Sequence, residues 1–331
     1  MSLADMSNRV RTPPSYDRDY SRAVVSLLPA CTGKLAPDDA LSIRSRETAL
    51  WEKLLESQSQ PESPDVDHTV HTIPSYDGQT ITIHRFSKKI TDNPKSGPAI
   101  VHAHGGGMIT GSVNWFQKYI VDMVQRTGVQ IFSVEYRLSP EHPFPTPAED
   151  CYAGLVWAHE HAEQFAIDRR RIGTMGESAG GNLAASITLM ARDRGLLPPI
   201  AKQILVYPML DDRNIVHNSA LNPLLTWTTE SNIIAWSAYL GDLYGTDRVP
   251  QYAAPSRSDI VEGLPPTYIE VGTLDIFRDE ALDYAARIAE VNIEVELHVY
   301  PGLPHGFDFS APLCGPTQRA LADRERAIST L

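Results

Sequence analysis

The chain is short of cysteine, of positive charge and of long apolar runs, and each shortage excludes something. Only three cysteines occur in 331 residues, Cys31, Cys151 and Cys314, all far apart. Such spacing builds neither a zinc site nor a disulfide framework, and the odd count fits a reducing compartment. Lys and Arg number 29 against 41 Asp and Glu, a formal net charge of -12. Nucleic acid or an anionic membrane surface calls for a basic patch on its partner, so neither is expected here. No run of about 18 apolar residues occurs, and the opening MSLADMSNRVRTPPSY lacks a signal-peptide core. A cytoplasmic protein without stable membrane association is the expectation.

Hydrophobic residues make up 42% and charged residues 21%, enough to bury a sizeable core. The length suits one α/β domain carrying an insertion. From Pro37 to Ser57 the apolar Ala40, Leu41, Ala49, Leu50, Trp51, Leu54 and Leu55 recur near helical spacing, behind Asp38 and Asp39. Ser57 to Asp67, SQSQPESPDVD, has no periodicity and reads as a connector. Beyond it, short β-rich runs alternate with longer helical ones, the pattern of strands joined by crossover helices. The strands expected are His68–Ile73, Ile81–Phe86, Ala99–Ala103, Val129–Glu135, Ile172–Met175, Gln203–Tyr207, Thr267–Val271 and Val295–Tyr300. The first two alternate apolar with polar and suggest an edge hairpin turning at Tyr76, Asp77 and Gly78. Helices are expected over Phe116–Arg126, Ala148–Gln164, Asn182–Arg194, Asp279–Val291 and from Thr317 onward. Met209 to Gly245 breaks the rhythm, with Trp227, Trp236, Tyr239, Tyr244 and one clear helix, Thr229–Leu240, and reads as an insertion over the sheet.

Chemistry concentrates at four places. Gly176 to Gly180 spell GESAG between the strand candidate RIGTM and the helix candidate NLAASITLMARDR, the context a nucleophile elbow requires. Flanking glycines leave room for a strained turn, which would expose Ser178 at the sheet's carboxyl edge. A serine that merely caps a helix is the alternative. His104 to Gly107, HGGG, follow the apolar run AIVHA. Three glycines weaken any regular element, and the reason to keep them is close approach of amides to a developing oxyanion, each worth about 3 kcal/mol. Gly105, Gly106, Gly107 and Ala179 are therefore the oxyanion candidates, with the N–H groups of Gly106, Gly107 and Ala179 as donors. His104 would brace that loop. A metal pair made of His102 and His104 lacks a third ligand at useful spacing.

Eleven histidines compete for the general base. His68, His71, His84, His102 and His298 fall in strands, and His159 and His161 lie in or near a helix. His305 follows VELHVY by a short Pro/Gly turn and is free to reach Ser178. Asp275 stands just beyond the strand Thr267–Val271, whereas its rivals Asp279 and Glu280 open a helix whose dipole already favours acids. The resulting order, Ser178, Asp275, His305, is that of α/β-hydrolases.

With HGGG, GESAGG and the Asp and His segments in this order, the chain resembles the hormone-sensitive-lipase-like branch of the α/β-hydrolases, from about His68 to Phe307. Tyr136 to Asp150, YRLSPEHPFPTPAED, is similar to a segment of that family. The resemblance implies an α/β-hydrolase fold, with a mostly parallel eight-stranded sheet flanked by helices, and a serine carboxylesterase acting on small-molecule esters with no cofactor or metal. It also implies a helical cap from residues 1–66 and 209–250 over a core of residues 67–208 and 251–331. The chain departs from the family's usual residues at Met108, Ser139, Glu177, Ile276 and Phe277. Amide or lactone hydrolysis, deacetylation of a secondary metabolite, and a non-catalytic receptor on the same fold stay open at this point, as does a homodimer.

Overall fold

Each of the eight expected strands becomes a strand of one sheet. The computed structural model describes residues 13–25, 39–57, 65–89 and 96–331. The strands are β1 Val66–Pro74, β2 Thr80–Lys88, β3 Gly97–Ala103, β4 Gln130–Glu135, β5 Ile167–Glu177, β6 Lys202–Val206, β7 Thr267–Gly272 and β8 Val295–Tyr300. Their order is β1, β2, β4, β3, β5, β6, β7, β8, with β2 antiparallel to both neighbours and β3 to β8 parallel. The β1–β2 hairpin turns where expected: Gly78 takes a φ of +81°, and the Ser75 N–H reaches the Gln79 carbonyl at 2.7 Å.

The helices are α1 Arg18–Val24, α2 Ala40–Ser57, α3 Val113–Thr127, α4 Thr146–Glu160, α5 Ala179–Asp193, α6 Thr229–Leu240, α7 Arg278–Glu290, α8 Phe307–Ser310 and α9 Gly315–Ser329. Of the regions read from sequence, Cys31, Pro37, Asp38, most of the connector and parts of the N-terminal segment lie outside the described residues. Helix α3 stops at Gly128, which takes a left-handed φ of +72° and donates to the Val124 carbonyl. Helix α1 was not anticipated; the Asp17 side chain caps it by accepting from the Asp19 and Tyr20 amides.

Successive residues of the central strands feed two cores. Ile100 and Ile131 join one with Ile120 of α3 and Ile328 of α9, while Val101 and Phe132 join the other with Leu155 of α4 and Ile187 of α5. Such strands, covered on both faces, read as near-continuous apolar runs. Helix α5 is buried from Ala179 to Ala191, and its first turn is small enough to lie against the strand ends. Trp236 and Tyr239 of α6 and Ile43 of α2 pack into the second core, and α2 lies on α6.

The Tyr136–Asp150 segment has a structural task. Asp150 is fully buried and accepts from the Ser75 hydroxyl, from the Arg137 amide at 3.0 Å and from the Arg137 guanidinium at 2.9 and 2.7 Å. Arg137 also reaches Asp77 at 2.7 Å. Ser75 and Asp77 belong to the hairpin turn, so Asp150 pins β1 and β2 to the start of α4. Asp150→Ala removes a buried carboxylate from a partly exposed Arg137 and is expected to lower stability by about 2 kcal/mol. Urea unfolding measures this, and an unchanged midpoint would show the hairpin is not anchored there.

Candidate active site

The carboxyl ends of β3, β5, β6, β7 and β8 meet along one rim, where parallel sheets bind ligands. Ser178 follows β5 with φ 58° and ψ -119°, a left-handed backbone rarely held by a non-glycine residue, costing about 1–3 kcal/mol. It occupies the N-cap position of α5, yet its side chain makes no capping hydrogen bond. The capping alternative therefore fails. A Cβ on Gly176 would lie 2.2 Å from the Gly180 carbonyl oxygen, and one on Gly180 would lie 2.0 Å from that of Ala103. Both glycines are required by close approach.

Three side chains separated in sequence form one hydrogen-bonded line. His305 Nε2 lies 2.9 Å from Ser178 Oγ, and His305 Nδ1 lies 2.7 Å from Asp275 Oδ2. The other Asp275 oxygen accepts the Phe277 amide at 2.9 Å, and the carboxylate is buried. The rivals are engaged elsewhere. Asp279 pairs with Arg278 at 2.7 Å, and Glu280 accepts the Leu210 amide at 2.6 Å. Phe277, one of the departures from the family's usual residues, sets its ring edge-on to the imidazole at 5.0 Å.

The glycine loop lies beside this line. Gly106 and Gly107 have φ of +125° and +62°. A Cβ on Gly105 would stand 3.5 Å from that of Ser178, and one on Gly106 would stand 2.1 Å from the Thr110 carbonyl oxygen. The Gly106 carbonyl accepts the amides of Ile109 and Thr110 at 3.1 and 3.0 Å, which closes the loop. Among the described residues, the N–H groups of Gly106, Gly107 and Ala179 are donated to no backbone carbonyl.

His104 braces this loop. Its Nδ1 meets the Gly105 carbonyl at 2.8 Å, its ring stacks on Tyr136 at 4.2 Å, and burial pushes its pKa down to about 3. The ring is neutral at working pH. His102 instead bridges Ser133 and Glu177, at 2.8 Å to each, beneath the elbow. Glu177, another of the departures from the family's usual residues, thus has a partner below the turn. The group of possible metal ligands found among the described residues is Glu296, His298 and Asp323, whose carboxylates already hold Arg326 at 3.0 and 3.2 Å.

The 209–245 segment touches both halves of the site. Thr226 Oγ1 donates to the His305 carbonyl at 2.6 Å. The Trp227 ring covers Gly107, where an added Cβ would come within 2.9 Å of it. Trp236 and Tyr239, by contrast, are fully buried packing residues. Met108 is buried as well, and its carbonyl accepts the Ser139 amide at 2.8 Å. From α2, Arg44 donates to the carbonyls of Ile109 and Ser139 at 2.6 Å each and pairs with both oxygens of Glu141. Sequence reasoning missed Thr226 and Arg44, because nothing in their local pattern marks a bond to a distant carbonyl.

A family model described as alpha/beta hydrolase fold matches residues 100–309. Esterase LipI of Mycobacterium tuberculosis is 31% identical over 308 residues, covering 92% of each chain. Ethyl acetate hydrolase of Pseudomonas putida is 26% identical over 83% of this chain and 86% of its own. Among solved structures, a bacterial heroin esterase superposes with a TM-score of 0.85 at 34% identity, covering 97% of this chain and 99% of its own. The chain belongs to the α/β-hydrolase family, in the hormone-sensitive-lipase-like branch that its motifs suggest. Its class is that of the carboxylic ester hydrolases. Among the described residues, no helix is long and apolar enough to cross a membrane.

Gly106→Ala forces a side chain into the Thr110 carbonyl and turns the loop amides. Turnover is expected to fall by about 10² or more, the usual loss for an oxyanion donor. Steady-state kinetics beside circular dichroism checks this, and full activity in a folded variant would remove the loop from the site.

Proposed function

We propose that this enzyme hydrolyses small carboxylic esters by acyl transfer through Ser178, with His305 as general acid/base and Asp275 orienting it. The observation that carries this reading is the continuous line from Asp275 through both imidazole nitrogens to the Ser178 hydroxyl, spaced at 2.7 and 2.9 Å. In the first half-reaction His305 takes the Ser178 proton as Oγ bonds to the ester carbonyl carbon. The negative oxygen of the tetrahedral adduct is held by the N–H groups of Gly106, Gly107 and Ala179. His305 then gives its proton to the departing alcohol, leaving Ser178 acylated. In the second half His305 takes a proton from water as it attacks the acyl carbon. The acid leaves and Ser178 regains its proton. Throughout, Asp275 fixes the imidazole tautomer and stabilises the imidazolium.

Residues 1–66 and 209–250 are read as a cap on a core of residues 67–208 and 251–331. The contact of α2 with α6 and the bonds of Arg44 and Thr226 support that division. Short- to medium-chain or small aromatic and alicyclic esters are the proposed substrates. Two similar proteins are named for ethyl acetate and for heroin, and Trp227 crowds the glycine loop of this chain. The unpaired, buried Cys151 and Cys314 fit a reducing, cytoplasmic setting.

Ser178→Ala is expected to lower turnover of p-nitrophenyl butyrate by about 10⁶, since triad members act as a unit. Wild-type turnover in this variant would end the assignment. Across p-nitrophenyl esters, acetate to hexanoate should be preferred over laurate. An anilide or lactone turned over faster than all of these would move the substrate class.

A further inference from the structure

Behind His305 lie three charged side chains that acyl transfer does not use. Arg324 of α9 and Glu270 of β7 are fully buried, and the Asp308 side chain of α8 is 3% exposed. Arg324 donates to Asp308 Oδ2 at 2.8 Å and, through its other terminal nitrogen, to Glu270. It also donates to Tyr119 Oη at 2.8 Å, while the Tyr268 hydroxyl donates to Glu270 at 2.6 Å. Taking ions out of water costs several kcal/mol each, and pairing often does no more than offset that loss. Apolar packing would stabilise this place as well, so the network calls for another explanation.

Tyr207 links the network to the imidazole. Its hydroxyl donates to Asp308 Oδ1 at 2.8 Å, and burial pushes its pKa up, which keeps it a donor. Its ring stands edge-on to that of His305, with centroids 4.7 Å apart and planes at 69°. Its backbone is equally fixed. The Tyr207 amide donates to the Glu270 carbonyl at 2.7 Å, and the preceding carbonyl, of Val206, accepts the Ser178 amide at 2.9 Å.

We propose that Tyr207, anchored through Asp308 to Arg324 and Glu270, is a positioning residue that keeps the His305 imidazole aligned with Ser178. The proposal rests on the acyl-transfer reading above. Its weight falls on the second half-reaction. Once Ser178 is acylated, its oxygen has no proton to share with Nε2, and the ring is held by Asp275, by Phe277 and by Tyr207. A displacement of about 1 Å at that stage can cost as much as 10²-fold in rate.

The test uses the full-length enzyme with Tyr207→Phe, Asp308→Asn and the double variant, measured on p-nitrophenyl butyrate in steady state and in the initial burst. Tyr207→Phe keeps the ring and removes the anchor. Its kcat should fall about ten-fold and its KM in step, so that kcat/KM stays within about two-fold of wild type because acylation is untouched; ten-fold is the effect of one lost hydrogen bond to a charged group. The burst of p-nitrophenol should become more pronounced as deacylation slows, with the melting temperature within a few degrees of wild type. Asp308→Asn should act alike, and the double variant should be no worse than the more affected single, as for two ends of one link. Wild-type kcat and burst in Tyr207→Phe overturn the proposal, as do additive losses in the double variant. If Asp308→Asn fails to fold, Tyr207→Phe decides alone. Activity surviving in Ser178→Ala would instead sink the acyl-transfer reading itself, a different result from an inert Tyr207→Phe.

Discussion

The site depends on one close approach, that of the carboxyl end of β3 to the first turn of α5. Gly180 lies so near the Ala103 carbonyl, and Gly176 so near the Gly180 carbonyl, that no side chain fits at either position. The same approach sets Gly105 beside Ser178, so one packing contact places both the hydroxyl and the amide-bearing loop. Its cost is the strained backbone at Ser178, about 1–3 kcal/mol. Burial of Leu183, Ile187, Leu189 and Met190 on the same helix, at about 1.5–3 kcal/mol each, outweighs it. The elbow is tolerable because it begins a helix that the core cannot release.

Helix α2 and the segment around Thr226 are tied to the loops that carry the site, and backbone carbonyls are the points of attachment. Arg44 holds Glu141 so that the carboxyl pKa drops to about 2, yet an exposed pair of this kind contributes little, about 0–1 kcal/mol. Its bonds to the carbonyls of Ile109 and Ser139 matter more, because they fix the segment that leaves the glycine loop. Thr226 does the same for the loop of His305 from the other side. Movement of either piece is thereby coupled to the geometry at Ser178.

What could be read in the sequence was local. Strands betrayed themselves by apolar runs of the right length, and the elbow by a serine set among glycines between a strand and a helix. Asp275 was separable from Asp279 and Glu280 because helix starts supply those two with a reason of their own. Helix α1 went unread, since seven residues carry too little periodicity, although Asp17 was a capping signal in view. Glu270 was also in view, as a carboxylate inside the apolar run TYIEV, where nothing but a buried cation or donor can satisfy it. The identity of that cation was not readable. Arg324 sits in ADRERA among other charges, and its burial depends on how α9 meets β7.

Two arginine and carboxylate groupings occupy opposite ends of the sheet, one with a partly exposed Arg137 and one with a fully buried Arg324, and they differ in what they reach. Asp150 with Arg137 joins a turn to a helix start, and its remaining bonds go to Ser75 and Asp77, which face no reacting group. Arg324 with Glu270 and Asp308 joins β7 to the helices after His305, and one of its bonds goes to a tyrosine lying edge-on to the imidazole. Both groupings satisfy polar groups that would otherwise be costly where strands give way to loops. They differ in what stands at the end of the chain of bonds. A rigid aromatic ring transmits a fixed position to its neighbour, whereas a solvent-facing aspartate ends the constraint where it begins.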